Sequence, residues 1–287
     1  MDSAASVRVQ HERGGTPERL RLQRYHEARS YWARADSEKL SGQCGDVFQP
    51  DVHASSSLPA ESRAWAAGGS RTLATNAYPE PLAEAVKRLR HDLHGLPCIC
   101  IMGAVAFRGA GSELEELVQA VAKEFSSRFS GKACFLTAGM TGVQKAFAMQ
   151  CGDGCALWNL LPIGQGSGYG RGRDVHAGTN LEERKEVFAQ IGDIYVVAEG
   201  GPGISQEVQG IAARGAAVVP MMRTGGASAG MFGFPPGALE RPGFASKRQW
   251  ELLGSRHAPV AESARAAAAV VAGFLAQRAS SAPAAVL

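Results

Sequence analysis

This chain has no apolar run long enough to span a bilayer. Its best late stretch, 266–276, is alanine-rich, weakly hydrophobic and closed by Arg265 and Arg278. No secretory signal is expected, since Met1-Asp2-Ser3-Ala4-Ala5 has no basic segment ahead of an apolar core. No membrane partner is therefore expected, and the cytoplasm is the expected compartment. A dense basic stripe is missing too. The net charge is only +3, with much of the excess spread over Arg19, Arg21, Arg24, Arg29 and Arg34, so nucleic acid is not an expected partner.

The six cysteines (44, 98, 100, 134, 151 and 155) form no zinc framework. Cys151-x3-Cys155 has neither a second close pair nor a spaced histidine pair beside it, so no metal is expected. Cys98, Cys100 and Cys134 lie in apolar runs and read as small buried hydrophobes, reduced in an intracellular setting. Two nucleotide fingerprints are also missing. Gly131-Lys132 is followed by Ala133, which breaks the P-loop pattern, and G-x-G-x-x-G begun at Gly201 would need glycine in place of Gln206. Neither an ATPase nor an ordinary dehydrogenase is supported, and no resident cofactor is expected.

Glycine is what the chain has in excess: 35 of 287 residues, many clustered mid-chain where turns or close backbone approach are needed. With 45% hydrophobic and 20% charged residues, the composition is that of a globular protein able to bury a core without disulfides. Residues 1–78 are small, polar and weakly periodic and read as an N-terminal arm, helical over part of 17–40 or partly disordered.

From residue 79 the pattern tightens. Leu82, Ala85, Val86 and Leu89 predict an amphipathic helix over 80–93. Five short apolar runs follow, at 98–103, 133–137, 156–161, 193–198 and 216–220, alternating with helical stretches at 112–129, 143–149, 180–191 and 205–214. Ser112 and Glu115 have capping-box spacing. A last helix is predicted over 259–278, with a frayed tail after it. Apolar runs alternating with helices predict βαβ units: an α/β fold with a doubly wound parallel sheet over 79–280, Rossmann-like, with helices on both faces.

In such sheets ligands bind outside the carboxyl ends of the strands. Three loops there carry suitable chemistry: 103–111 (with Arg108, Gly109 and Gly111), 138–142, and Glu199-Gly200-Gly201-Pro202-Gly203. The last lies between a buried run and a helix, whose free N-terminal amides and positive dipole end suit a phosphate. The glycine-rich segment 164–178 reads as a loop. It is either a mobile lid, with Arg171 or Arg173 reaching a phosphate and Tyr169 stacking on a base, or a flexible surface loop. His176 reads as incidental, and Trp158 and Trp250 as core or interface residues.

The segment Leu181-Glu182-Glu183-Arg184-Lys185, followed by Glu199-Gly200-Gly201-Pro202-Gly203-Ile204-Ser205-Gln206-Glu207, resembles the M-x-x-R-K and P-G-G-x-G-T-x-x-E motifs of the LONELY GUY family. Ala138-Gly139-Met140-Thr141-Gly142-Val143 resembles that family's turn after its second strand. The resemblance implies hydrolysis of the N-glycosidic bond of a nucleoside 5′-monophosphate, of the AMP or cytokinin riboside monophosphate class, by a homodimer. Arg184 and Glu207 would then be the catalytic pair. Gly200, Gly201, Gly203, Ile204 and Ser205 would bind phosphate or nucleotide, with Gly103, Gly139, Met140, Gly142 and Lys185 alongside. The chain departs from the pattern at Leu181, at Glu199 (for proline) and at Ile204 (for threonine), with Ser205 a candidate to replace the missing hydroxyl. The alternative expectation is a non-catalytic sensor of a nucleotide or ADP-ribose-like ligand.

Overall fold

The computed structural model describes residues 80–93, 95–107 and 111–281. The expectations for the arm 1–78 and for Cys44, Arg108, Gly109 and the residues past 281 lie outside the described residues. Along the chain run α1 (Leu82–Asp92), β1 (Cys98–Gly103), α2 (Glu113–Phe129), β2 (Cys134–Thr137), α3 (Val143–Gln150) and β3 (Ala156–Leu161). They continue as β4 (Arg173–His176), α4 (Leu181–Ile191), β5 (Ile194–Ala198), α5 (Pro202–Ala213), β6 (Ala217–Met221), α6 (Lys247–Gly254) and α7 (Val260–Ser281).

The strands form one parallel sheet in the order β4-β3-β2-β1-β5-β6. Side chains alternate along each strand, so a strand buried on both faces feeds two cores. Ile99, Ile101 and Val196 pack with Phe125, Phe147, Leu253 and Val270 beneath α2, α3, α6 and α7. Cys98, Cys100, Met102, Tyr195 and Val197 pack with Leu89, Phe188 and Val208 beneath α1, α4 and α5. This is the doubly wound parallel α/β architecture expected from the sequence.

Five details depart from expectation. A sixth strand, β4, lies inside the segment read as a loop. It is a short edge strand in which Val175 alone is buried, so it carries no apolar run. Helix α5 opens at Pro202, three residues early, because proline suits the first helical position and Gly201 serves as N-cap. Helix α6 and the 3₁₀ turns between Met222 and Leu239 were not foreseen, although Ser246 and Gln249 close a full capping box on α6. Helix α7 runs on to Ser281, past Arg278. At α2, Ser112 Oγ accepts from Glu115 N at 3.2 Å, while the Glu115 carboxylate takes Gly111 N at 3.3 Å, so only half of the expected box forms. No described helix is long and apolar enough to cross a membrane.

The tightest point of the sheet is the end of β1. A Cβ on Gly103 would stand 2.1 Å from the carbonyl oxygen of Ala198 on β5, a distance no neighbour of that kind tolerates. Gly103→Ala is expected to force β1 and β5 apart at a cost of about 2–3 kcal/mol, read as a lowered urea midpoint. An unchanged midpoint would show that the two strands can separate freely there.

Candidate functional site

Strand order reverses between β1 and β5, and the crevice outside their carboxyl ends is the place where this architecture binds ligands. Gly103 ends one strand and the turn at Glu199 follows the other. Glu199 is held at φ 56°, unusual for a residue with a side chain, and Gly200 at φ 95°. A segment the sequence did not flag fixes this turn. Glu199 N donates to Thr224 Oγ1 at 2.6 Å and to Ser228 Oγ at 3.1 Å, while Ser228 N and Ala227 N donate back to the carbonyls of Glu199 and Gly200. Gly226 sits so close that a Cβ there would lie 2.4 Å from the Gly200 carbonyl oxygen. The small-residue run 224–230 was the available signal.

Helix α5 begins without a side-chain cap. Pro202 has no amide hydrogen, and the amides of Gly203 and Ile204 open the first turn, where the helix itself offers no acceptor. Gly203 is exposed with open space about its Cα. Ile204 folds its side chain over Gly200 and packs with the α4–α5 core, so any anion contact it offers comes from its backbone. Ser205 corrects an expectation. It is buried, and its hydroxyl donates to the Phe232 carbonyl at 3.1 Å, so that group is committed to the loop beside α5.

Helix α4 supplies the cation. Asn180 caps it, accepting from Glu182 N and Glu183 N at 3.0 Å each. That sets Arg184 facing inward at 3% exposure. Among the described residues its Nη2 reaches only the Met140 thioether, at 3.7 Å, and its Nε has no partner. Glu207, half-buried on α5, shares its field. Burial pushes the Glu207 carboxyl up while Arg184 and Lys185 pull it down, and Glu182 adds to the upward push. Burial lowers Arg184 in turn, and Glu207 opposes that. Among the described residues the two make no contact ion pair. Lys185 bonds Glu182 at 3.0 Å one position away.

Gly139 and Gly142 shape the neighbouring turn. A Cβ on Gly142 would lie 2.4 Å from the Ala104 carbonyl oxygen, and one on Gly139 would lie 2.2 Å from the Leu161 side chain. Gln144 Oε1 accepts from Ala138 N and Met140 N at 2.7 and 3.2 Å. Gly103, Met140, Arg184, Lys185, Glu207 and the Gly200–Gly203 turn therefore gather at one end of the sheet. Gly139 and Gly142 pack on protein, and the Ser205 hydroxyl turns aside.

The segment 164–178 is tethered to the sheet by side-chain hydrogen bonds and includes the short strand β4. Asp174 accepts from Ser167 N and Ser167 Oγ at 2.9 and 2.7 Å and from Asn159 Nδ2 at 2.9 Å. Tyr169, in one of the two readings a platform for a base, is buried, and its hydroxyl donates to the Met140 carbonyl. Arg171 pairs with Asp153 at 2.5 Å, and Arg173 lies 5.0 Å over the Trp158 ring; neither is directed at the glycine turn. His176 Nε2 meets the Gln165 carbonyl at 2.8 Å. A cavity of about 660 Å³ opens at the other end of the sheet, between Asp193, Gly215, Arg241 and Phe274, where the strands begin. It lies away from the glycine turn.

No family model and no curated protein matches the chain. Among solved structures it is similar to TM1055, a structural-genomics target, at 20% identity and a TM-score of 0.41, over 46% of this chain and 78% of that one. It is similar to the molybdenum cofactor carrier protein of Chlamydomonas reinhardtii at 18% identity and a TM-score of 0.41, over 63% and 99%. A third likeness is to the molybdenum cofactor binding protein of Rippkaea orientalis, at 17% identity and a TM-score of 0.34, over 43% and 74%.

Burial makes Glu207 a reporter of the site. Because its folded pKa is raised, its contribution to stability is complete below the ordinary glutamate range and is lost as pH rises through the folded value. The Glu207→Gln variant lacks this titration. Wild type is expected to lose stability relative to it as pH rises above the ordinary glutamate range, as measured by chemical unfolding. Parallel curves would place the carboxylate in bulk water.

Proposed function

We propose that this chain binds a nucleoside 5′-monophosphate and hydrolyses its N-glycosidic bond, as a phosphoribohydrolase of LONELY GUY type. One observation carries the reading: Arg184 is buried with its Nε unpartnered among the described residues, in the field of a half-buried Glu207, beside the uncapped start of α5. A buried cation with unmet donors is costly unless a ligand supplies the missing acceptors.

In this reading the amides of Gly203 and Ile204 take the 5′-phosphate, with Lys185 adding positive charge nearby. As the C1′–N bond breaks, its electron pair leaves with the base and positive charge builds on the ribose. The Glu207 carboxylate stabilises that charge and accepts a proton from the water that adds to C1′, and the proton then passes to the departing base, which restores the carboxylate. The products are free base and ribose 5-phosphate. The planar fork of Arg184 holds an oxygen or the departing base in place. A homodimer belongs to the same reading.

The second reading, a nucleotide or ADP-ribose-like sensor, is favoured by Ile204 and Ser205. One has no hydroxyl to give a phosphate, and the other's is bonded to Phe232.

Purified protein is expected to release free base from AMP or an N6-substituted AMP. Glu207→Ala should lower that rate at least about a hundredfold while leaving AMP binding measurable by calorimetry. The acid limb of kcat/KM should lie above the ordinary glutamate value of about 4.3, since the carboxylate must be ionised to act. Binding of AMP without any base release on prolonged incubation would sink the enzyme reading and leave the sensor.

A further inference from the structure

Arg184 poses a physical problem that α4 does not solve. A guanidinium offers five N–H donors on a long, flexible stem, yet here it is buried and its one hydrogen-bond partner among the described residues is a thioether, a weak acceptor. Something other than its own hydrogen bonds must decide where the group rests. Met140 is the atom group it leans on, so whatever fixes Met140 fixes the cation.

Two bonds fix Met140. Its amide donates to Gln144 Oε1 at 3.2 Å, and its carbonyl accepts from the Tyr169 hydroxyl. Tyr169 comes from the other side of the site, in the connection between β3 and β4, and is only 5% exposed. That connection is itself tied down: Tyr169 N donates to Ser167 Oγ at 3.3 Å, and Ser167 donates to Asp174 on β4. Tyr169 and Arg184 also feel each other's charge state, which places the phenol in the guanidinium's neighbourhood.

We propose that Tyr169 is a positioning residue for Arg184, acting through the backbone and thioether of Met140. The β3–β4 connection thereby sets where the buried cation meets a ligand. The inference rests on the reading of Arg184 as the group that holds the ligand, and its test separates the two claims.

Tyr169→Phe keeps the ring and removes one O–H. Met140→Leu keeps the volume and removes the sulfur, and serves if the first variant does not fold. The primary readout is the Nε–H resonance of Arg184 in ¹⁵N-labelled protein, assigned by its loss in Arg184→Lys. Its exchange with water is expected to quicken about tenfold in Tyr169→Phe and in the same direction in Met140→Leu. In the AMP assay, KM should rise about tenfold in Tyr169→Phe with kcat changed far less, a split that general loss of folded protein would not give. An Nε–H signal that neither variant moves overturns the proposal, whatever the activity. A signal that moves in protein that releases no base from AMP upholds the positioning role and sinks the enzyme reading alone.

Discussion

The geometry of this protein turns on the place where β1 and β5 meet. The two strands are some ninety residues apart in the chain, yet Gly103 leaves no room for a side chain against the Ala198 carbonyl, and Ala104 N donates to that same oxygen at 3.2 Å. One carbonyl thus locks the two strands between which sheet order reverses. The following segments must diverge, one towards α2 and one towards α5. A ligand crevice at this point follows from the topology rather than from any one side chain.

Around that lock the site is assembled by backbone contacts. The left-handed Glu199 and Gly200 aim the start of α5 at the crevice, and the run 222–229 bonds both residues of the bend from behind. Strained backbone of this kind persists only where its surroundings over-determine it. The buried Arg184 adds an electrostatic tension of the same sort, since its charge is opposed by burial and answered only at a distance by Glu207. Strained backbone and an under-satisfied cation thus meet at the same end of the sheet.

Much of the fold was legible in the sequence, because strands buried on both faces write themselves as unbroken apolar runs. Five of the six strands could be read in this way, along with the helices from α1 to α4. The edge strand β4 could not, since Arg173, Asp174 and His176 offer no such run. The candidate site was legible only in part. Glu-Glu-Arg-Lys-Glu at 182–186 looks like a solvated helix face, and nothing local says that Arg184 alone turns inward. Nor does glycine-rich 164–172 announce a tethered loop, because the bonds that hold it come from Asn159 and Asp174, and its tyrosine is anchored on Met140. Such contacts join residues that are distant in the chain, and no short window of sequence contains them.

The two margins of the sheet carry a consequence for behaviour in concentrated solution. At one margin, β4 is four residues long and bears Arg173, Asp174 and His176; at the other, β6 contains Pro220, which has no amide hydrogen to donate. Both devices discourage a stray strand from zipping onto an open border. Among the described residues, the hydrogen-bonded ladder is offered no ready way to grow outward from one molecule into the next, an arrangement that counts against fibrous self-association.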